Sequence, residues 1–221
     1  LESSDGLREA VLSVLEATGQ FQETLPGLFQ FYELGVRKGL LTPVPLGTVK
    51  MGHRGRVATL SASGSILRLL REKGLYSDYL STIGAFPHRV TMLHATADFL
   101  VPDVPAAVQA VKAAAYAGEL MLTRKRIQPN QCQHVFGVDV DGRETGTIYL
   151  GQRANADVWA KVYDKRHERL CRGYADPGSL CRVEVAVMSG AGATLRDAQD
   201  PYDVFFNFAG RSLVEAPVEF A

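Results

Sequence analysis

The run Tyr163-Asp164-Lys165 ends a segment, Val158 to Tyr163, whose composition reads as a β-strand. Side chains two apart on a strand share a face, so Trp159, Lys161 and Tyr163 lie together. A phenol is a poor nucleophile at neutral pH because its pKa is about 10. A neighbouring cation or metal ion can activate it. Lys161 can stabilise phosphate charge, and Lys165 follows at the start of the next helix. The plainer reading is a sheet tyrosine flanked by two surface charges.

A second strand pattern runs from Leu180 to Met188. Val183, Val185 and Val187 face one way, and Arg182 and Glu184 face the other. Its valines mark a core face and its charges an open one. A third strand, His88 to Phe99, carries Val90, Met92, His94, Thr96 and Asp98 on one face. His94 and Asp98 are about 13 Å apart along it, so both can line one groove without meeting on one small ion. Carboxylates on adjacent strands repel without a cation and suit Mg²⁺ or Mn²⁺, which take oxygen ligands. A His94 ligand would tilt the choice towards Mn²⁺. Tyr163 and Asp164 share a site only if the strand ends or bulges there, so Asp98 is preferred to Asp164. The plainer readings are an Arg182–Glu184 pair on a wet sheet face and an exposed Asp98 at a strand end.

Basic residues suited to phosphates are Arg124, Lys125, Arg126, Arg153 and Arg182, with Arg166 and the turn His53-Arg54-Gly55-Arg56 as weaker candidates. A short basic run is more often a solvated edge. Asp139, Asp141 and Glu144 read as a solvated turn, and His134 and His167 as structural or surface residues.

These residues need a frame. Helical spacing covers Gly6 to Ala17, Gly27 to Leu34, Ser65 to Arg71, Val104 to Leu120, Lys165 to Cys171 and Asp200 to Ala209. Strands are expected at Gly55 to Ser61, His88 to Phe99 (central), His134 to Val140, Thr145 to Gly151, Val158 to Tyr163 and Leu180 to Met188. Asp141-Gly142 is a strong hairpin signal between two of them. Thr42-Pro43-Val44-Pro45-Leu46-Gly47 and Tyr174 to Leu180 read as loops. The order predicts an α+β fold, an antiparallel central sheet packed by helices. Residues 1–85 form a first half and 86–221 the sheet half, as one compact unit or two pseudo-repeated halves.

The 221 residues are 46% hydrophobic, ordinary for a globular protein. Lys and Arg total 24 against 24 Asp and Glu, which excludes a uniformly basic nucleic-acid coat but not a local basic groove. Cys132, Cys171 and Cys181 show no metal spacing and read as reduced, intracellular thiols. No apolar run approaches a membrane span and no signal-peptide pattern is present, so neither a membrane partner nor a location outside the cytoplasm is expected. The start at Leu1 without a methionine reads as a piece of a longer chain.

Tyr149-Leu150-Gly151-Gln152-Arg153, then Lys161-Val162-Tyr163-Asp164-Lys165 with Glu168, and then Arg182-Val183-Glu184 resemble the replication initiation factors of rolling-circle plasmids and filamentous phages. The likeness spans residues 55–190 and is most specific in its middle. It implies a relaxase-like (HUH-like) α+β sheet without the paired-histidine motif. It implies an enzyme that nicks and rejoins one DNA strand at an origin, single-stranded or cruciform, through a covalent 5′-phosphotyrosine. Bacterial host helicase and polymerase would be partners, a homodimer is left open, and the cofactor would be Mg²⁺ or Mn²⁺. By this resemblance Tyr163 is the nucleophile, with Asp98, Asp164 and Glu184 as metal ligands. Tyr149, on a neighbouring strand, is the alternative nucleophile. Three positions depart from the family pattern: His94 replaces an acid, Lys161 an arginine and Asn155 a small hydroxyl residue. A DNA-binding module without catalysis and an unrelated α+β protein are the competing readings.

Overall fold

The computed structural model describes residues 2–19, 21–37, 40–54, 57–139, 141–152, 156–174 and 176–214. The chain divides into two compact units, residues 1–88 and 89–221. It is α+β, with antiparallel sheets packed by helices.

The first unit is α1 (Glu2–Glu16), β1 (Phe21–Leu25), β2 (Leu28–Arg37), β3 (Leu40–Arg54), β4 (Val57–Ala62), α2 (Gly64–Glu72) and α3 (Tyr76–Gly84). Its strands form a four-stranded antiparallel meander. Val11, Leu15, Phe29, Phe31, Val49, Ile66 and Leu70 are buried in this unit. Two expectations fail here. The helix expected over Gly27 to Leu34 is β2, because Phe29 and Phe31 alternate with exposed or half-buried neighbours at the strand period. The expected loop Thr42 to Gly47 lies inside β3. Pro43 and Pro45 are tolerated because β4 pairs only with residues from Val49 onward, so this part of β3 is an open edge. A register shift opposite Phe31/Tyr32 absorbs the irregularity, and the Gln30 amide donates to the Gly47 carbonyl there at 2.9 Å.

The second unit is β5 (Met92–Leu100), α4 (Val104–Tyr116), β6 (Met121–Leu122), β7 (Lys125–Arg126), β8 (Cys132–Val138), β9 (Glu144–Leu150), β10 (Val158–Asp164), α5 (Lys165–Cys171), β11 (Leu180–Met188), α6 (Leu195–Gln199) and α7 (Pro201–Val214). Five strands make one antiparallel sheet in the order β5-β11-β10-β9-β8. The strand expected to be central, β5, is therefore an edge, and β10 is the centre. Ala-rich α4 is capped by Asp103, which accepts from the Ala106 amide at 3.0 Å, with Pro105 in its first turn. It packs Val104, Val108 and Val111 into a core with Ile148, Leu150, Val162, Val183, Val185, Val187 and, from α7, Val204 and Phe205. One face of the sheet is thus committed to the helices, as the valine alternation of β11 predicts. Burying each such valine contributes roughly 1.5–3 kcal/mol.

The β8–β9 hairpin forms at the expected Asp141-Gly142 turn. Asp139 closes it by accepting from the amides of Asp141 and Arg143 at 3.0 and 2.7 Å, which explains that acid structurally. Within β9, Gly146 has φ 139°, and a Cβ there would run into the Val135 carbonyl oxygen.

Candidate active site on the open sheet face

Register places the chemistry-bearing residues in rungs across the face turned away from the helices. One rung is Asp98, Arg182, Tyr163 and Thr147. The next is Thr96, Glu184, Lys161, Tyr149 and Gln133. The third is His94, Ala186 and Trp159. Sequence spacing put these residues on faces. Only the pairing of strands distant in sequence puts them side by side.

Glu184 is the hub. The Tyr163 hydroxyl donates to its Oε1 at 2.6 Å, along a diagonal between rungs. Lys161 Nζ lies 2.9 Å and His94 Nδ1 3.6 Å from its Oε2. Burial acts to raise the Glu184 pKa, but the adjacent His94 ring, the Tyr163 hydroxyl and the Lys161 ammonium outweigh it and hold the carboxyl at about 2. Tyr163 is 7% exposed. Desolvation, followed by the negative charge of Glu184, pushes its pKa well above the usual phenol range. Lys161 Nζ stands 4.8 Å and Lys165 Nζ 5.8 Å from the centre of the Tyr163 ring. Lys165 also pairs with Glu168, and desolvation lowers its pKa despite that partner. The arrangement is a phenol with a proton acceptor at hydrogen-bond reach and two ammonium groups around its ring.

The four expected metal ligands separate. Glu184 and His94 face each other. The Arg182 guanidinium forks onto both oxygens of Asp98. Asp164, 5% exposed, caps α5: its Oδ1 accepts from the His167 amide at 2.7 Å and its Oδ2 from the Thr145 hydroxyl at 3.2 Å. The alternation of β10 turns Asp164 away from Tyr163, so it is corrected from ligand to helix cap. Among the described residues, no three His, Cys, Asp or Glu side chains converge as an ion-holding group. Magnesium in phosphoryl-transfer sites commonly takes one or two protein carboxylates and completes its shell with water and substrate phosphate. Both Glu184 oxygens are already engaged, Oε1 by the Tyr163 hydroxyl and Oε2 by Lys161 and His94, so an ion there would have to displace the Lys161 ammonium.

Of the expected DNA contacts, Arg182 lies in the site. Arg124, Lys125 and Arg126 sit on the β6–β7 hairpin, where Thr123 and Arg124 have φ 53° and 63°. Leu122 of that hairpin is in the core shared with α4 and α7, so the run belongs to the helix side of the sheet. Arg153, like Asn155, lies outside the described residues. Two features escape the sequence reading. Asp98 rather than Glu184 is the partner of Arg182. Tyr149 and Trp159, with ring centres 6.3 Å apart, form an aromatic pair, and His94 packs edge-on against Trp159 at 5.7 Å.

No protein-family model and no curated protein matches the chain. Among solved structures, the di-domain ARO/CYC protein BexL from the BE-7585A biosynthetic pathway aligns with a TM-score of 0.29 and 14% identity, over 90% of this chain and 76% of that one. A likeness that low carries no argument about function. Among the described residues no helix is long and apolar enough to cross a membrane.

Proposed function

We propose that the chain is a DNA nicking and joining enzyme of rolling-circle initiation, with Tyr163 as nucleophile. The observation that carries this reading is the 2.6 Å hydrogen bond from the Tyr163 hydroxyl to Glu184, on the sheet face turned away from the helices, beside Lys161 and Lys165. The motif likeness supplies the reaction. Tyr149 is less suited as nucleophile, because it sits on the neighbouring strand beside Trp159.

In the forward step the phenol oxygen attacks the scissile phosphorus while Glu184 takes the phenol proton. The bond from phosphorus to the 3′ oxygen breaks. That oxygen leaves as a 3′ hydroxyl after protonation, and the 5′ phosphate stays on Tyr163. Joining is the reverse. Lys161 and Lys165 stabilise charge on the phenolate and the phosphate. The proton faces an uphill transfer in the protein alone, since burial raises the phenol and its partners depress Glu184. A divalent ion at Glu184 and His94, in place of the Lys161 ammonium, would supply Lewis-acid polarisation of the scissile phosphate. The Arg182–Asp98 pair braces the rung that carries Tyr163.

The test is covalent trapping. Incubated with origin single strand and Mn²⁺ or Mg²⁺, the protein is expected to form a denaturant-stable DNA adduct. Tyr163→Phe forms none yet still binds. Binding without any adduct from the unaltered chain would favour a non-catalytic DNA-binding module instead.

A further inference from the structure

The groove next to this site has a different chemistry. It is a shallow, open groove of about 740 Å³ between the edge of β8 and the third rung. Tyr149, Trp159, Met92 and Met188 line it, together with Gln133 and Gln152. No side chain that carries a full charge at neutral pH is among its lining residues. That lining suits neither a phosphate nor a charged peptide. It suits a flat, neutral heteroaromatic group with hydrogen-bonding edges.

The groove is continuous with the Tyr163 site. Tyr149 is the register partner of Lys161, and Gln133 that of Tyr149. Trp159 lies four residues before Tyr163 on the same face of β10, about 13 Å away along the strand. We infer that this groove is a nucleobase subsite: one unpaired base of the bound strand stacks on Tyr149, backed by Trp159, while amides such as Gln133 and Gln152 contact its edge. The inference rests on the proposed DNA reaction for the strand's presence, but not on its chemistry. Bases in a duplex present no free face for such stacking, so the subsite selects single strands.

Trp159 is the sole tryptophan, which gives a direct readout. Labelled oligo-dT is titrated into the full chain while anisotropy reports binding and indole emission reports the groove. The same strand annealed to oligo-dA is the control. The single strand is expected to quench Trp159 and the duplex to leave it unchanged. Tyr149→Ala is expected to weaken single-strand binding about tenfold or more, and Tyr149→Phe to keep it. Gln133→Ala, an exposed change, provides a second variant and is expected to weaken binding without altering the fold.

Absence of single-strand binding overturns the subsite. So does binding without quenching, equal quenching by duplex, or unchanged affinity in Tyr149→Ala. Quenching and a Tyr149 dependence without a Tyr163 adduct would leave the subsite standing and sink the nicking reaction. An adduct formed with no quenching and no Tyr149 dependence would do the reverse.

Discussion

Tyr163 and Glu184 lie diagonally on neighbouring strands, and the contacts around Glu184 set what both can do. The carboxylate is desolvated yet surrounded by donors, so its proton affinity falls to about 2 rather than rising. Its unfolded value is about 4.5, so it contributes stability above that pH and loses it as pH falls towards 2. The upper bound on that contribution is roughly 3 kcal/mol, at about 1.4 kcal/mol per pH unit. Urea denaturation across this window is expected to show the unaltered protein losing stability, with Glu184→Gln showing a shallower decline. Equal declines would mean that the hydrogen bonds seen around Glu184 do not persist in solution. The same substitution removes the proton acceptor of Tyr163 and should depress adduct formation by roughly a hundredfold or more, within the range for general-base catalysis.

The junction of β10 and α5 shows how an element boundary protects the site. Asp164 ends the strand, caps the helix and anchors to Thr145, and so fixes the backbone next to Tyr163 and Lys165. Asp164→Ala is expected to cost about 1–2 kcal/mol, the range for a lost cap, and more if Thr145 is left unpaired. Asp164→Asn keeps an acceptor for the His167 amide and meets the Thr145 hydroxyl with an amide donor, reversing that bond, so it should retain most stability and an unchanged metal dependence of nicking. A shifted metal dependence in that variant would restore Asp164 as a ligand. The spans of α5 and β11 were readable in advance, because helical spacing and alternating valines are local signals, but the capping role of Asp164 was not read. The site was half readable. Alternation placed Lys161 with Tyr163, and Arg182 with Glu184, on shared faces. It could not show that Arg182 turns to Asp98 or that Tyr149 meets Trp159, since both depend on strand pairing. The first sheet was largely hidden because its signals conflict locally. Prolines and a glycine interrupt β3, and the strand survives because that stretch pairs with β2 on one side only, leaves its other side open and takes up a register shift.

For the chain as a whole, Lys and Arg balance Asp and Glu at 24 each, so DNA affinity cannot come from a general positive field. Under the proposed function it would come from where the cations sit. Lys161, Lys165 and Arg182 stand at the Tyr163 site, each already near a carboxylate that phosphate would have to displace or share. The Arg124-Lys125-Arg126 hairpin belongs to the helix side instead. Each phosphate contact on a single strand contributes about −0.7 to the slope of log K against log salt. Three contacts on the open face therefore predict a slope of about −2 for single-strand binding. Replacing Arg124, Lys125 and Arg126 together by alanine should leave that slope unchanged. Lys161→Ala should flatten it by about 0.7 and weaken adduct formation as well. Fluorescence anisotropy over a salt series separates the two surfaces. A slope near zero would remove the nucleic-acid role altogether, while a slope that collapses only in the hairpin variant would move the DNA path to the helix side and away from Tyr163.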